Sequence, residues 1–329
     1  MKLFITGVTG YIGNKLLLAA LYKGYSVNAF TRQTDLSKQI KHPNLRYFQG
    51  DMADMNSLNA AMQGCDAVFH VAGLTQLWNK NRALFYQINV DFTRNILEAA
   101  RNQGVKKIIC TSSCAVLGPS FKDPVTEEDP RLTAFENDYE ISKHCAEELL
   151  KEYANKGLFT VSVRPSRVYG PGLWTQGNPI NKFIKKTLER RYTFIPDFKS
   201  TVGNYAFVDD VVEGHFLAME NGQSGEAYNL GGENISFRQF FDQIRKEAGK
   251  KITYITIPKA VLKAGTALIF MAYRIINKHT HLHPKIINRL FQNRAVSCDK
   301  AVDQLGYTIT PFNEGLLQTI EYLKKENHA

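Results

Sequence analysis

Two hydrophobic periods take turns along this chain. Short apolar runs lie at 2–6, 25–30, 45–48, 66–71, 106–111 and 158–164, with the length and β-branched content of buried strands. Between and beyond them, near 11–22, 54–62, 81–102, 137–155, 210–220 and 236–248, apolar positions recur at helical spacing. In the first of these, Ile12, Leu16, Leu17, Ala20 and Leu21 share one face. Such alternation predicts an α/β fold, a doubly wound parallel sheet with ligands at the C-terminal ends of its strands. After Pro165 the pattern loosens. Gly and Pro gather in Tyr169-Gly-Pro-Gly172 and Gly177-Asn-Pro179, and a basic helix follows from Ile180 to Arg191. The expected division is a large domain over 1–166, to which 204–221 return, and a smaller capping domain over 167–329.

Two motifs carry the chemistry. Thr6-Gly7-Val8-Thr9-Gly10-Tyr11-Ile12-Gly13 falls where the first strand turns into the first helix, the setting a dinucleotide site requires. Gly7 permits the tight turn, Gly10 lets the backbone approach a pyrophosphate, and Gly13 lets the helix pack closely. The helix N-terminus supplies N–H groups and positive dipole. The second motif is Tyr139-Glu-Ile-Ser-Lys143. A tyrosine and a lysine four apart share a helix face, and an ammonium near a phenol favours the phenolate. That suits proton exchange with a carbonyl oxygen, the partner reaction to hydride transfer from a nicotinamide.

The chain resembles the extended short-chain dehydrogenases/reductases over nearly its whole length, closest to a branch with dihydroflavonol-reductase-like and hopanoid-associated epimerase-like members. The residues that carry the resemblance are Gly50-Asp51-Met52, His70-Val-Ala-Gly73, Asn89-Val90 with Thr93-Arg-Asn95, and Thr111-Ser-Ser113. Beyond Tyr139 and Lys143 follow Arg164-Pro165, Val168-Tyr-Gly-Pro-Gly172 and Phe207-Val-Asp-Asp210. The resemblance implies a catalytic set of Ser113, Tyr139 and Lys143. It implies cofactor contacts at Gly7, Thr9, Gly10, Tyr11, Ile12, Gly13, Asp51, Met52, Val71, Ala72, Gly73, Asn89, Pro165 and Val168, with Tyr139 and Lys143 also reaching the cofactor. A homodimer through the helices near 81–102 and 137–155 follows by the same resemblance.

NAD-binding members end the second strand on a carboxylate; here it ends Ala29-Phe30-Thr31-Arg32. Arg32, with Lys38 nearby, faces a 2′-phosphate better than a ribose hydroxyl, and Asp35 lies too far along the loop. NADP is therefore the expected cofactor, with NAD the alternative.

The reaction is read from departures. Dehydratases carry Thr-Asp-Glu where this chain has Ser113-Cys114-Ala115, so elimination of water lacks its acid–base pair. Epimerases tend to have asparagine at Arg167 and a phosphate-clamping arginine at Gly203; Arg164, Arg167 and Arg190 are the possible replacements. The expected activity is oxidoreduction of a ketone or secondary alcohol. A nucleotide-sugar epimerase is the first alternative, and a non-catalytic cofactor-binding protein the second. Trp78, within Gly73-Leu-Thr-Gln-Leu-Trp78, and the apolar run 260–276 favour an apolar or aromatic substrate. Trp78, Ser113, Arg167 and Tyr169 are its candidate contacts, with packing the competing role for Tyr169.

Composition narrows the partners. The net charge is +10 over 329 residues, without the interleaved basic and aromatic residues of a nucleic-acid platform. The five cysteines have no ligand-like spacing, which predicts reduced thiols, no metal and a cytoplasmic protein. The chain opens in a strand, so no signal peptide is expected. The run 260–276 is too short to span a bilayer and is interrupted by Lys263 and Arg274. It is expected to be a buried or site-lining helix rather than a peripheral membrane contact.

Overall fold

The structure is a computed structural model describing residues 1–33, 40–175, 178–197, 201–249, 251–275 and 288–326. Expectations resting on Asp35, Lys38, Gly177 and Ile276 lie outside those residues.

The first part of the chain runs β1 (Lys2–Thr6), α1 (Tyr11–Tyr22), β2 (Ser26–Thr31), β3 (Leu45–Gln49), α2 (Met55–Met62) and β4 (Ala67–His70). It continues through α3 (Ala83–Tyr86), α4 (Phe92–Asn102), β5 (Lys107–Thr111), α5 (Asp138–Asn155) and β6 (Thr160–Pro165). The rest comprises β7 (Arg167–Tyr169), α6 (Pro179–Glu189), β8 (Tyr192–Pro196), β9 (Val202–Phe207), α7 (Val208–Asn221) and β10 (Ala227–Leu230). After these come β11 (Glu233–Ser236), α8 (Phe237–Glu247), β12 (Thr253–Ile257), α9 (Lys259–Ile275), α10 (Asp299–Leu305) and α11 (Phe312–Glu326).

Seven strands make the main parallel sheet, in the order β10-β6-β5-β4-β1-β2-β3. Its inner strands are apolar on both faces. Leu3 and Ile5 pack with α1 and α7, whereas Phe4 packs on the opposite side with α2 and α4. Burial on both faces is why these strands read as continuous apolar runs rather than alternating ones.

Three expectations need correction. The helix expected over 81–102 is interrupted: α3 passes through a π turn at Gln87–Asp91 before α4 begins. The return to the large sheet is longer than 204–221. β10 pairs with β6, and Ala301, Leu305 and Tyr307 join the same core as Tyr228 and Leu230. Third, α9 is neither buried nor enclosed. Among its described side chains only Thr266 is buried, and most of the apolar ones face outward.

The smaller domain pairs β11, β9 and β7 in one sheet and β12 with β8 in another. Its core holds Tyr169, Tyr205, Phe207, Phe240 and Phe312. Among the described residues no helix is long and apolar enough to cross a membrane.

Candidate active site

The glycine turn is built by contact. Gly7 has φ +74°, which L side chains rarely adopt, and a Cβ there would stand 2.7 Å from the Ala72 nitrogen. At Gly13 a Cβ would stand 2.1 Å from the Gly7 carbonyl oxygen, so the first turn of α1 rests directly on the loop. Gly10 caps the helix with extended backbone and no side-chain hydrogen bond, and the first turn has no acidic residue. A glycine cradle beneath an uncapped helix N-terminus fits a dinucleotide pyrophosphate. Thr9 is exposed and Ile12 half-buried beside it. The buried Tyr11 turns away, its hydroxyl donating to the Gly170 carbonyl at 2.7 Å.

A hydrogen-bonded relay fixes the neighbouring loop. The Val71 and Ala72 N–H groups donate to Thr6 Oγ1. That hydroxyl lies 2.8 Å from His70 Nδ1, and His70 Nε2 lies 3.1 Å from Thr93 Oγ1. Because Thr93 Oγ1 donates to the Asn89 carbonyl, His70 carries its proton on Nε2. Asn89, from the π turn, accepts from the Leu74 N–H at 2.8 Å and donates to Ser142. Asn89 thus holds the 73–74 backbone. At the sheet's outer edge, Arg32 and Asp51 are exposed. Met52 is buried, and its carbonyl accepts from Asn95.

Tyr139 and Lys143 are both buried on α5, whose Asn137 cap accepts from the Glu140 N–H. Burial pushes the Tyr139 phenol up, while the Ser113 hydroxyl and the Arg289 charge pull it down. Ser113 follows β5 and begins a 3₁₀ turn, its Oγ accepting from the Ala115 N–H. Burial lowers the Lys143 ammonium, which donates to the Thr111 carbonyl at 2.8 Å. A Cβ on Gly73 would stand 3.0 Å from that Nζ, so the loop after β4 closes on the lysine.

Arg289 has no motif to mark it. It pairs with Glu140, which is fully buried and also accepts from Arg131 at 2.7 Å. Glu136 bridges Arg289 and Arg294. Burial first, then Arg289, lower Arg294 to about 10. The sequence offers only the charge of these residues as a signal, because their contacts cross some 150 positions.

The remaining candidates separate. Pro165 ends β6, Val168 packs on the main core, and Trp78 is half-buried in the loop after β4. Tyr169 is 0% exposed, its ring 5.0 Å from Phe312 and its hydroxyl donating to the Phe312 carbonyl. It belongs to the small-domain core, which corrects its assignment as a substrate contact. Of the possible phosphate clamps, Arg164 is committed to Glu147 through two hydrogen bonds of 2.9 and 2.7 Å. All five cysteines are free, and among the described residues no cluster of His, Cys, Asp or Glu is placed to hold a metal.

The chain is 32% identical to a putative dihydroflavonol 4-reductase of Synechocystis sp., over 99% of this chain and 95% of that protein. It is 25% identical to the human decarboxylating sterol-4-alpha-carboxylate 3-dehydrogenase, over 98% of this chain and 88% of that one. Among solved structures, gox2253 superposes with a TM-score of 0.80 at 28% identity, covering 98% of both chains. The UDP-glucose 4-epimerase of Thermotoga maritima reaches the same TM-score at 23% identity, covering 99% of this chain and 100% of that one; this likeness is one of fold. Residues 3–231, from β1 to the end of the parallel sheet, match the family model described as NAD dependent epimerase/dehydratase. With the glycine turn and the Tyr139/Lys143 helix inside that span, the chain belongs to the NAD-dependent epimerase/dehydratase family.

Proposed function

We propose that this protein is an oxidoreductase interconverting a ketone and a secondary alcohol. The observation that carries the reading is the buried Tyr139 phenol beside the Ser113 hydroxyl, on the helix that also holds Lys143. Bound nicotinamide supplies or accepts the hydride at this end of the sheet. Ser113 orients the substrate oxygen by hydrogen bond. Tyr139 gives that oxygen its proton on reduction and takes it on oxidation. Lys143, held by the Thr111 carbonyl, presents its remaining donors to the cofactor ribose and its charge to the phenol. Gly7, Gly10 and Gly13 seat the pyrophosphate, and exposed Arg32 selects NADP over NAD.

The large domain binds the cofactor and the smaller domain caps the substrate. We take that substrate to be apolar or aromatic, since Arg164 is paired with Glu147, Gly203 has no side chain to clamp a diphosphate, and the Arg167 guanidinium beside it packs on the rings of Tyr205 and Phe237. The working form is a cytoplasmic homodimer with no nucleic-acid partner. The test is a panel of ketones, hydroxysteroids and sugar nucleotides followed by nicotinamide absorbance. Stoichiometric consumption of NADPH with a neutral apolar ketone supports the reading. Turnover of a sugar nucleotide without net cofactor change would make the protein an epimerase instead.

A further inference from the structure

Helix α9 carries its main apolar row on the outside. Leu262, Thr266 and Phe270, four apart, form the inward row: Thr266 is 8% exposed and the other two are half-buried. Val261, Ala264, Leu268 and Met271 form the outward row, at the three- and four-residue spacing of a single helix face. Leu268 is 68% exposed, Met271 63% and Val261 58%. The strand leading into the helix continues the theme. Ile255, 40% exposed, stands opposite Phe194, 59% exposed, across β12 and β8.

Charge selects the occupant. From Ala248 to Cys298 the sequence carries lysines and arginines throughout and not one Asp or Glu. Lys259 and Lys263, on the helix itself, are exposed, as is Lys251 ahead of β12. Two copies meeting through such a segment would bring like charges together, whereas anionic headgroups complement it. With 17 residues, α9 is also too short to span a bilayer. A short helix with an apolar row and basic flanks is suited to lying in the interface plane.

We propose that the outward face of α9, with Phe194 and Ile255 at its approach, docks the protein peripherally on an anionic lipid surface. The docking is independent of the chemistry at Tyr139 and stands whatever the ketone is.

The full chain is tested by flotation with vesicles of phosphatidylcholine alone and with vesicles containing phosphatidylserine. Wild type should float with the anionic vesicles, about tenfold more weakly with neutral ones, and less as salt rises. L268E/M271E should lose about tenfold or more in binding while keeping its melting temperature. K259Q/K263Q, which leaves the apolar row intact, should lose mainly the salt-sensitive part. Failure to float with anionic vesicles overturns the proposal, as does equal flotation of wild type and L268E/M271E. A wild-type dimer that L268E/M271E converts to monomer, by light scattering, would assign the face to a second copy instead.

Discussion

The Arg167 guanidinium occupies the space above Gly203: a Cβ on Gly203 would stand 1.5 Å from Arg167 Nη1. The group packs on the rings of Tyr205 and Phe237, 5.5 and 5.4 Å from their centroids. Among the described residues its Nη1 is buried without a hydrogen-bond partner. The two departures from the sugar-nucleotide pattern, arginine for asparagine on β7 and glycine for arginine on β9, are therefore neighbours in space.

That coupling is measurable in a double-mutant cycle. Gly203→Ala alone should cost about 1–3 kcal/mol, because the added methyl must displace a packed guanidinium. In an Arg167→Met background the obstruction is gone and most of the cost should disappear. Denaturant unfolding of the four proteins decides it. Additivity within ~0.5 kcal/mol would mean that Gly203 and Arg167 do not compete for space.

At the reacting centre, Tyr139→Phe removes the hydroxyl that exchanges the proton. A fall in kcat of ~10²–10⁴ is expected, with cofactor affinity nearly unchanged in titration. Lys143→Ala should impair both, since its ammonium serves phenol and ribose. A Tyr139→Phe enzyme keeping a tenth of wild-type kcat would refute the acid–base role.

Much of this was legible in the sequence because the information is local. The early strands inside the sheet show as apolar runs since both faces are covered there, unlike the edge strand β3, and the glycine turn needs only neighbouring residues. What stayed hidden depends on distant partners. Arg289 meets Glu140 across 149 residues of chain. β10 reads as nothing in particular until β6 offers it an edge. Tyr169 follows a binding motif in sequence, yet Phe207 and Phe312 enclose its ring. An apolar run cannot say which way it faces, so α9 read as buried.

Arg289 should tune the pH dependence. Its charge favours the Tyr139 phenolate against burial. In the oxidation direction the phenolate is the active form, so removing the cation raises the phenol's pKa and moves the rising, acid-side limb to higher pH. Arg289→Gln should shift the midpoint of the kcat/KM profile upward. An unmoved profile would leave Arg289 a purely structural partner of Glu140.

Arg32 follows β2 and is exposed, free to meet a ligand phosphate without rearranging a core. Wild type should bind NADPH more tightly than NADH. Arg32→Ala should remove most of the difference, about 1.5–3 kcal/mol for a charge-assisted contact, or roughly ten- to a hundredfold. Equal wild-type affinities by calorimetry at low salt would make NAD the cofactor.

Two buried histidines set the acid stability. His70, fully enclosed between Thr6 and Thr93, has its pKa lowered from 6.5 to about 3 by burial and then by the Lys143 charge. His215 donates from Nδ1 to the Val211 carbonyl and accepts from Thr111, and burial lowers it to about 4. Both remain neutral in the folded chain while the unfolded chain binds protons below about pH 6.5. Folding stability should therefore fall as pH drops from about 6.5 toward 4, by up to about 1.4 kcal/mol per pH unit for each histidine. His215→Gln should take about one proton out of that slope, whatever it does to stability at pH 7.5. Denaturant unfolding at several pH values between 7.5 and 5 provides the measurement. A flat wild-type curve below pH 6.5 would show that these imidazoles take up protons without unfolding the protein.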